Sequence, residues 1–148
     1  MNNDSRSAVH PAREDYLRDI LREAKTIAVV GLSDKPDRPS HSIPAYLQQQ
    51  GYRIIPVNPK LQEVLGEKAF ASLRDIPEKV DVVDIFRRAE DIPPVVDEAI
   101  AIGAKVVWMQ LGIVNHEAAA KAKAAGLKVV MDECTGAVHR ELRAKGVL

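Results

Sequence analysis

Residues 27–33 read Ile27-Ala28-Val29-Val30-Gly31-Leu32-Ser33, an apolar and largely β-branched run that stops at a glycine. A strand apolar at every position is one covered by helices on both faces. The same kind of run returns at Ile54-Ile55-Pro56-Val57, at 80–85, at Val106-Val107-Trp108-Met109 and at 127–131. The spacing is about 25 residues, enough for one strand and one helix. The segments between are helical in pattern, and three close on Gly51, Gly103 and Gly126, the left-handed terminators that end helices just before a strand. A leading helix over about 15–24 carries Tyr16, Leu17, Ile20, Leu21 and Ala24 on one face, and a closing helix spans about 137–145. The pattern predicts an α/β, Rossmann-like, doubly wound sheet of five parallel strands in three α/β/α layers. Numbering the five runs in chain order, the expected strand order is 3-2-1-4-5. Pro56 cannot donate to a ladder, and Pro59 ends the second strand, so Asn58 begins a loop.

The chain has 148 residues, of which 46% are hydrophobic and 28% charged, which fits one folded domain. Residues 1–13 are polar and expected to be a flexible N-terminal segment; 14–148 form the domain. Lys plus Arg number 21 and Asp plus Glu number 21, so the net charge is zero. A balanced charge gives no general attraction to nucleic acid or to an anionic membrane, and any bound anion must be held by a local cluster. No stretch approaches the roughly 20 apolar residues of a membrane span. Cys134 is the single cysteine and the four histidines are scattered, which argues against disulfides and metal sites and for a cytoplasmic setting.

In open α/β sheets ligands bind beyond the carboxyl ends of the strands. After the first strand, Gly31 supplies the first glycine of a dinucleotide fingerprint, but Ser33 and Pro36 occupy the other two places. Gly31 is expected to need a close backbone approach or an unusual φ. The following helix is expected to begin at Ser40 as N-cap, with His41 and Ser42 in its first turn. Its N-terminus, with Ser33, Lys35 and Arg38 beside it, can cradle phosphate; an ordinary polar loop would read the same. After the second strand, Val57-Asn58-Pro59-Lys60 has no carboxylate before Glu63. NAD enzymes place an acid there, so the pattern points to a phosphorylated ribose, in NADP or in coenzyme A. The third strand ends at Phe86-Arg87-Arg88, where adjacent arginines point apart and at most one faces the cleft. The fourth ends at Gln110-Leu111-Gly112 and the fifth at Asp132-Glu133-Cys134.

Four stretches, GLSDKPDRPSHSIPAYLQQQGYRIIPVNPK (31–60), DVVDIFRR (81–88), WMQLGIVN (108–115) and VVMDEC (129–134), resemble the small stand-alone CoA-binding proteins of bacteria and archaea. These are similar to the CoA-binding domain of the succinyl-CoA synthetase α subunit. The resemblance implies a Rossmann-like domain that binds coenzyme A. By position it implies that Gly31, Leu32, Ser33 and the loop with Lys35, Arg38, Ser40 and His41 hold the pyrophosphate. It places Val57, Asn58, Pro59 and Lys60 at the ribose 3′-phosphate, and Phe86, Arg87 and Arg88 along the adenine and pantetheine path. Gln110 and Gly112 line the cleft floor. Members usually carry Arg where this chain has Glu133.

No Ser-His-Asp order appears. Cys134 is the one candidate nucleophile, its neighbours Asp132 and Glu133 would raise its pKa, and a lone cysteine is more often a small buried hydrophobe. His116 and His139 read as surface positions. The expected function is a module that binds CoA or acyl-CoA without its own catalysis, with a second copy or an acyl-transfer enzyme as candidate protein partners. The alternatives are a small NADP-dependent oxidoreductase and a degenerate fold used for association.

Overall fold

A computed structural model describes residues 11–148; His10 and the rest of 1–10 lie outside the described residues. Helix α1 (Pro11–Glu23) takes in 11–13, which the sequence reading had placed in the N-terminal segment. It leads to β1 (Thr26–Val30), α2 (Pro39–Gln49) and β2 (Arg53–Val57). A small antiparallel hairpin, β3 (Glu63–Val64) and β4 (Glu67–Lys68), follows, with a 3-10 turn at Leu73–Asp75. Then come β5 (Val82–Ile85), a second 3-10 turn at Ala89–Asp91, α3 (Ile92–Ala101), β6 (Val106–Met109), α4 (His116–Ala124), β7 (Lys128–Val130) and α5 (Thr135–Ala144).

The five main strands form one parallel sheet in the order β2-β1-β5-β6-β7. The fold class is as expected, but the strand order is corrected. The third apolar run, now β5, lies directly beside β1 rather than outside β2. Phe70 takes the outer place: its N–H donates to Pro56 O (2.9 Å), and Asn58 N–H donates to Phe70 O (2.9 Å). Counted as a rudimentary strand, this bridge restores the order 3-2-1-4-5-6. A single bridging residue leaves no apolar run, which is why the pattern missed it. It also explains Pro56, whose missing N–H faces the outer edge, away from β1.

Alternation sorts the core into two layers. Ile27, Val29, Ile54, Val82, Trp108 and Val130 pack with Leu17 and Leu21 of α1, Leu47 of α2 and Val138 and Leu142 of α5. Ala28, Val30, Val83, Ile85, Val107 and Met109 pack with Ile92, Val96 and Ala99 of α3 and Ala118 and Ala122 of α4. At the far edge Tyr16 closes β7: its hydroxyl donates to Val129 O (3.0 Å) and accepts from Val129 N–H (3.1 Å). An edge strand satisfied this way offers less to a second chain. Gly51, Gly103 and Gly126 do follow the ends of α2, α3 and α4, with φ of 104°, 75° and 94°.

Candidate functional site

The apex of the strand ends is Gly31, with φ 91°. A Cβ placed there would stand 2.4 Å from Phe86 O and 3.0 Å from Arg87 Nη1. The close approach expected at Gly31 is therefore made by the end of β5, not by a ligand. Gly31 N–H donates to Val57 O (2.9 Å) and Phe86 N–H to Val30 O (2.9 Å), so three strand ends meet at one glycine.

Beyond it, Leu32 is fully buried and only its backbone can face a ligand. Ser33 is fastened at both atoms: its Oγ accepts from Lys35 N–H (3.0 Å), and its N–H donates to Ser40 O (3.0 Å). That carbonyl is available because Pro44, inside α2, has no N–H to return to it. Helix α2 begins two residues earlier than expected, with Pro39 as its first residue and Arg38 rather than Ser40 as N-cap. Arg38 has extended backbone, which is what a residue before proline adopts. His41 and Ser42 N–H both donate to Arg38 O (2.9 Å each). Pro39 has no N–H, so the Ser40 amide is the first-turn donor left for an anion.

At the end of β2 the Asn58 side chain is committed. Its Nδ2 donates to Leu32 O (3.0 Å) and its Oδ1 accepts from Lys60 N–H (3.0 Å). Asn58 thus ties the two loops together, while Pro59 and the Lys60 side chain stand exposed. Val57 forms a buried wall.

The adjacent arginines part as expected. Arg88 turns out to Asp91 (3.4 Å) and Glu90 (3.6 Å), and Arg87 lies over Gly31. Among the described residues no acid pairs with Arg87, Lys35, Arg38 or Lys60. Asp34 and Asp37 share the loop without pairing to them. The ends of β1, β2 and β5 therefore gather four uncommitted cations within a fold that is neutral overall.

Gln110 is 5% exposed and sits in a buried network that the sequence reading did not anticipate. Its Nε2 donates to Asp84 Oδ1 (2.5 Å) and Thr135 Oγ1 (2.8 Å), and Thr135 Oγ1 donates to Asp84 Oδ2 (3.0 Å). Asp84 is wholly buried, and burial pushes its carboxyl up from 3.8 to about 7, against the pull of the two hydrogen bonds. The signal was present: Asp84 is an acid between Val83 and Ile85 within the apolar run 80–85. The network joins β5, β6 and the start of α5 beneath the cleft floor. Next to it Gly112 N–H donates to Asp132 Oδ1 (2.7 Å), which zips the turns after β6 and β7.

The remaining candidates are structural in setting. Cys134 is the N-cap of α5, its Sγ accepting from Ala137 N–H (3.4 Å). Glu133 pairs with Arg13 of α1. His139 is not at the surface: it is buried, its Nδ1 is 2.9 Å from Tyr46 Oη, and Tyr46 and Tyr52 pack edge-on to its ring. Burial, with Arg143 and Arg140 nearby, lowers its pKa. A cavity of about 720 Å³ lies at the opposite edge, against Lys25, Tyr52 and Arg53, but Arg53 is already held by Glu67 (2.6 Å) and Glu78 (2.9 Å). The uncommitted cluster, not this cavity, marks the candidate site.

Residues 25–140 match the family model described as "CoA binding domain". The chain belongs to the CoA-binding domain family. It is 47% identical to the uncharacterized protein YneT of Bacillus subtilis over 123 residues, 83% of this chain and 91% of that one. A structure described as a hypothetical protein from Pyrococcus horikoshii superposes with a TM-score of 0.88 at 40% identity, covering 97% of this chain and 99% of that one. An ADP-forming acetate–CoA ligase of Archaeoglobus fulgidus is 36% identical over 98 residues, 63% of this chain but 15% of the ligase. The family thus occurs both at this chain's length and as a minor part of a much larger enzyme.

Proposed function

We propose that the protein binds coenzyme A across the carboxyl ends of β2, β1 and β5, as a binding or regulatory module that leaves the ligand chemically unchanged. The observation that carries this reading is the Arg87 guanidinium over Gly31, with Lys35, Arg38 and Lys60 unpaired on the same edge. Uncommitted cations on one rim suit a ligand with several phosphates. Val57-Asn58-Pro59-Lys60 offers a cation and no carboxylate, which suits a phosphorylated ribose, and family membership favours CoA over NADP. The module corresponds to the CoA-binding domain of the succinyl-CoA synthetase α subunit. Binding without turnover is supported by the settings of the reactive groups: Cys134 caps a helix, His139 is held inside the core by Tyr46, and Asp84 is sealed under Gln110 and Thr135.

Calorimetric titration with CoA, dephospho-CoA, NADP and NAD tests the reading. CoA is expected to bind most tightly, with dephospho-CoA and NADP weaker and NAD negligible. An affinity for NADP equal to that for CoA would return the oxidoreductase alternative. Free-thiol release from acyl-CoA above background, lost in Cys134→Ala, would make the protein an enzyme.

A further inference from the structure

Gln110 is 5% exposed, and its Nε2 is used twice, on Asp84 Oδ1 (2.5 Å) and on Thr135 Oγ1 (2.8 Å). Its carbonyl oxygen Oε1 accepts nothing among the described residues. A buried carbonyl without a donor is uncommon and costs the folded state the water it gave up. This one belongs to the carboxyl end of β6. Gln110 N–H donates to Ile85 O (3.4 Å) at the end of β5, and Phe86 N–H donates to Val30 O (2.9 Å) at the end of β1. Gln110 therefore lies two strand spacings, about 10 Å, from Gly31 and the Arg87 guanidinium over it.

The network has places for three hydrogens. Two come from Gln110 Nε2, and the third runs from Thr135 Oγ1 to Asp84 Oδ2 (3.0 Å). They use both carboxylate oxygens and the hydroxyl oxygen, so the ring closes only while Asp84 is ionised. A proton on Asp84 is one donor too many. Donated to Thr135 Oγ1, it strands the hydroxyl hydrogen. Donated to Gln110 Oε1, it strands nothing: the amide turns over, Oε1 gains the donor it lacked, and Nε2 faces outward instead. The second arrangement is the protonated state.

The charge on Asp84 answers to this ring alone. Its neighbours across the sheet are Val29 and Trp108. Leu17 and Leu21 of α1 and Leu47 of α2 cover the same face, and α5 meets it with Thr135. The titratable groups nearest in the chain at this end of α5, Cys134 and His139, are held by Ala137 N–H and Tyr46. Burial, Gln110 and Thr135 act on the carboxyl and no charged side chain does, and its pKa of about 7 brings both states within reach.

Resting on the coenzyme A reading above, we propose that Asp84 is the positioning residue for Gln110, and that binding at the end of β6 is coupled to its proton. With Asp84 ionised, both Nε2 hydrogens are held within the ring and Oε1 accepts an amide N–H of the pantetheine arm. With Asp84 protonated, Oε1 is spent on the carboxyl and that acceptor is withdrawn. The ligand bond to Oε1 polarises the amide and strengthens its donation to the carboxylate, so the ligand in turn favours the ionised form. CoA therefore binds more tightly as pH rises, and releases a proton from Asp84 as it binds.

Calorimetric titrations of CoA from about pH 5.5 to about pH 8.5, in the parent protein and in Asp84→Asn, test this. The ratio of the two affinities cancels the titration of the 3′-phosphate and of His41, which both series share. It is expected to rise about tenfold in the parent's favour across the range, the worth of one hydrogen bond to a buried acceptor. In NMR of the parent protein, the Gln110 side-chain amide is expected to titrate with the Asp84 carboxyl at one midpoint. CoA is expected to lower that midpoint by about one pH unit, the reciprocal of the tenfold preference. These midpoints decide the matter even if Asp84→Asn does not fold. A constant affinity ratio, or a midpoint that CoA leaves in place, would overturn the inference and leave the CoA reading standing. A Gln110 amide indifferent to the Asp84 titration would overturn it as well. Failure to bind CoA at every pH would overturn both.

Discussion

Lys60 and Asn58 are two residues apart and do different work. The Asn58 side chain is spent on Leu32 O and Lys60 N–H, and the Lys60 ammonium is free. Lys60→Ala is therefore expected to weaken CoA about tenfold and dephospho-CoA little, by the loss of one charge-assisted contact to the 3′-phosphate; parallel titrations of the two ligands check it. Gly31 is limited by its own protein. A Cβ there meets Phe86 O, a backbone atom that moves only with β5, so Gly31→Ala is expected to destabilise the fold by roughly 2 kcal/mol or more, as a strained φ and a backbone clash do together. Denaturant unfolding measures this, and a Gly31 variant that lost ligand would not by itself locate the ligand.

At the scale of elements, the buried Asp84 network links two strands and a helix and leaves a pH signature. The Asp84 carboxyl rises from 3.8 to about 7 on folding. Its neutral form is favoured in the folded state, so the stability it contributes is complete below about pH 4. That stability is lost as pH rises through about 7, by on the order of 4 kcal/mol. Asp84→Asn keeps a neutral group, and the Thr135 hydroxyl can turn to accept from it. The variant is expected to flatten the fall in melting temperature between pH 4 and 7 relative to the parent protein. A parallel slope in the two proteins would sink this account of Asp84. At the sheet edge, Tyr16→Phe removes both hydrogen bonds that satisfy Val129, an expected loss of about 1–2 kcal/mol. Faster amide exchange at Val129 than at Val107, inside the sheet, is the accompanying observation.

For the whole molecule, neutral net charge and a local cation cluster make binding and salt dependence inseparable. A ligand at a hundred times its dissociation constant stabilises the folded state by about 2.7 kcal/mol. For a domain of this size that raises the melting temperature by roughly 10 °C. CoA is expected to give this shift in low salt and much less of it near 1 M salt, where the screening length falls to about 3 Å. A shift indifferent to salt would remove the cation cluster from the binding account. Five apolar runs at even spacing, with glycines closing the helices, determined the layers, the parallel sheet and the edge that carries the candidate site, because burial on both faces fixes composition locally. The absent carboxylate before Glu63 and the divergence of Arg87 from Arg88 were equally legible, since each depends on neighbours in the chain. Tertiary structure alone decided the place of β5 beside β1, the bridge at Phe70, the burial of His139 and the closing of Asp84 on Gln110 and Thr135. Each of these depends on which distant segments meet: a one-residue bridge leaves no periodic trace along the chain, and an acid visible within an apolar run does not reveal the partners that close on it.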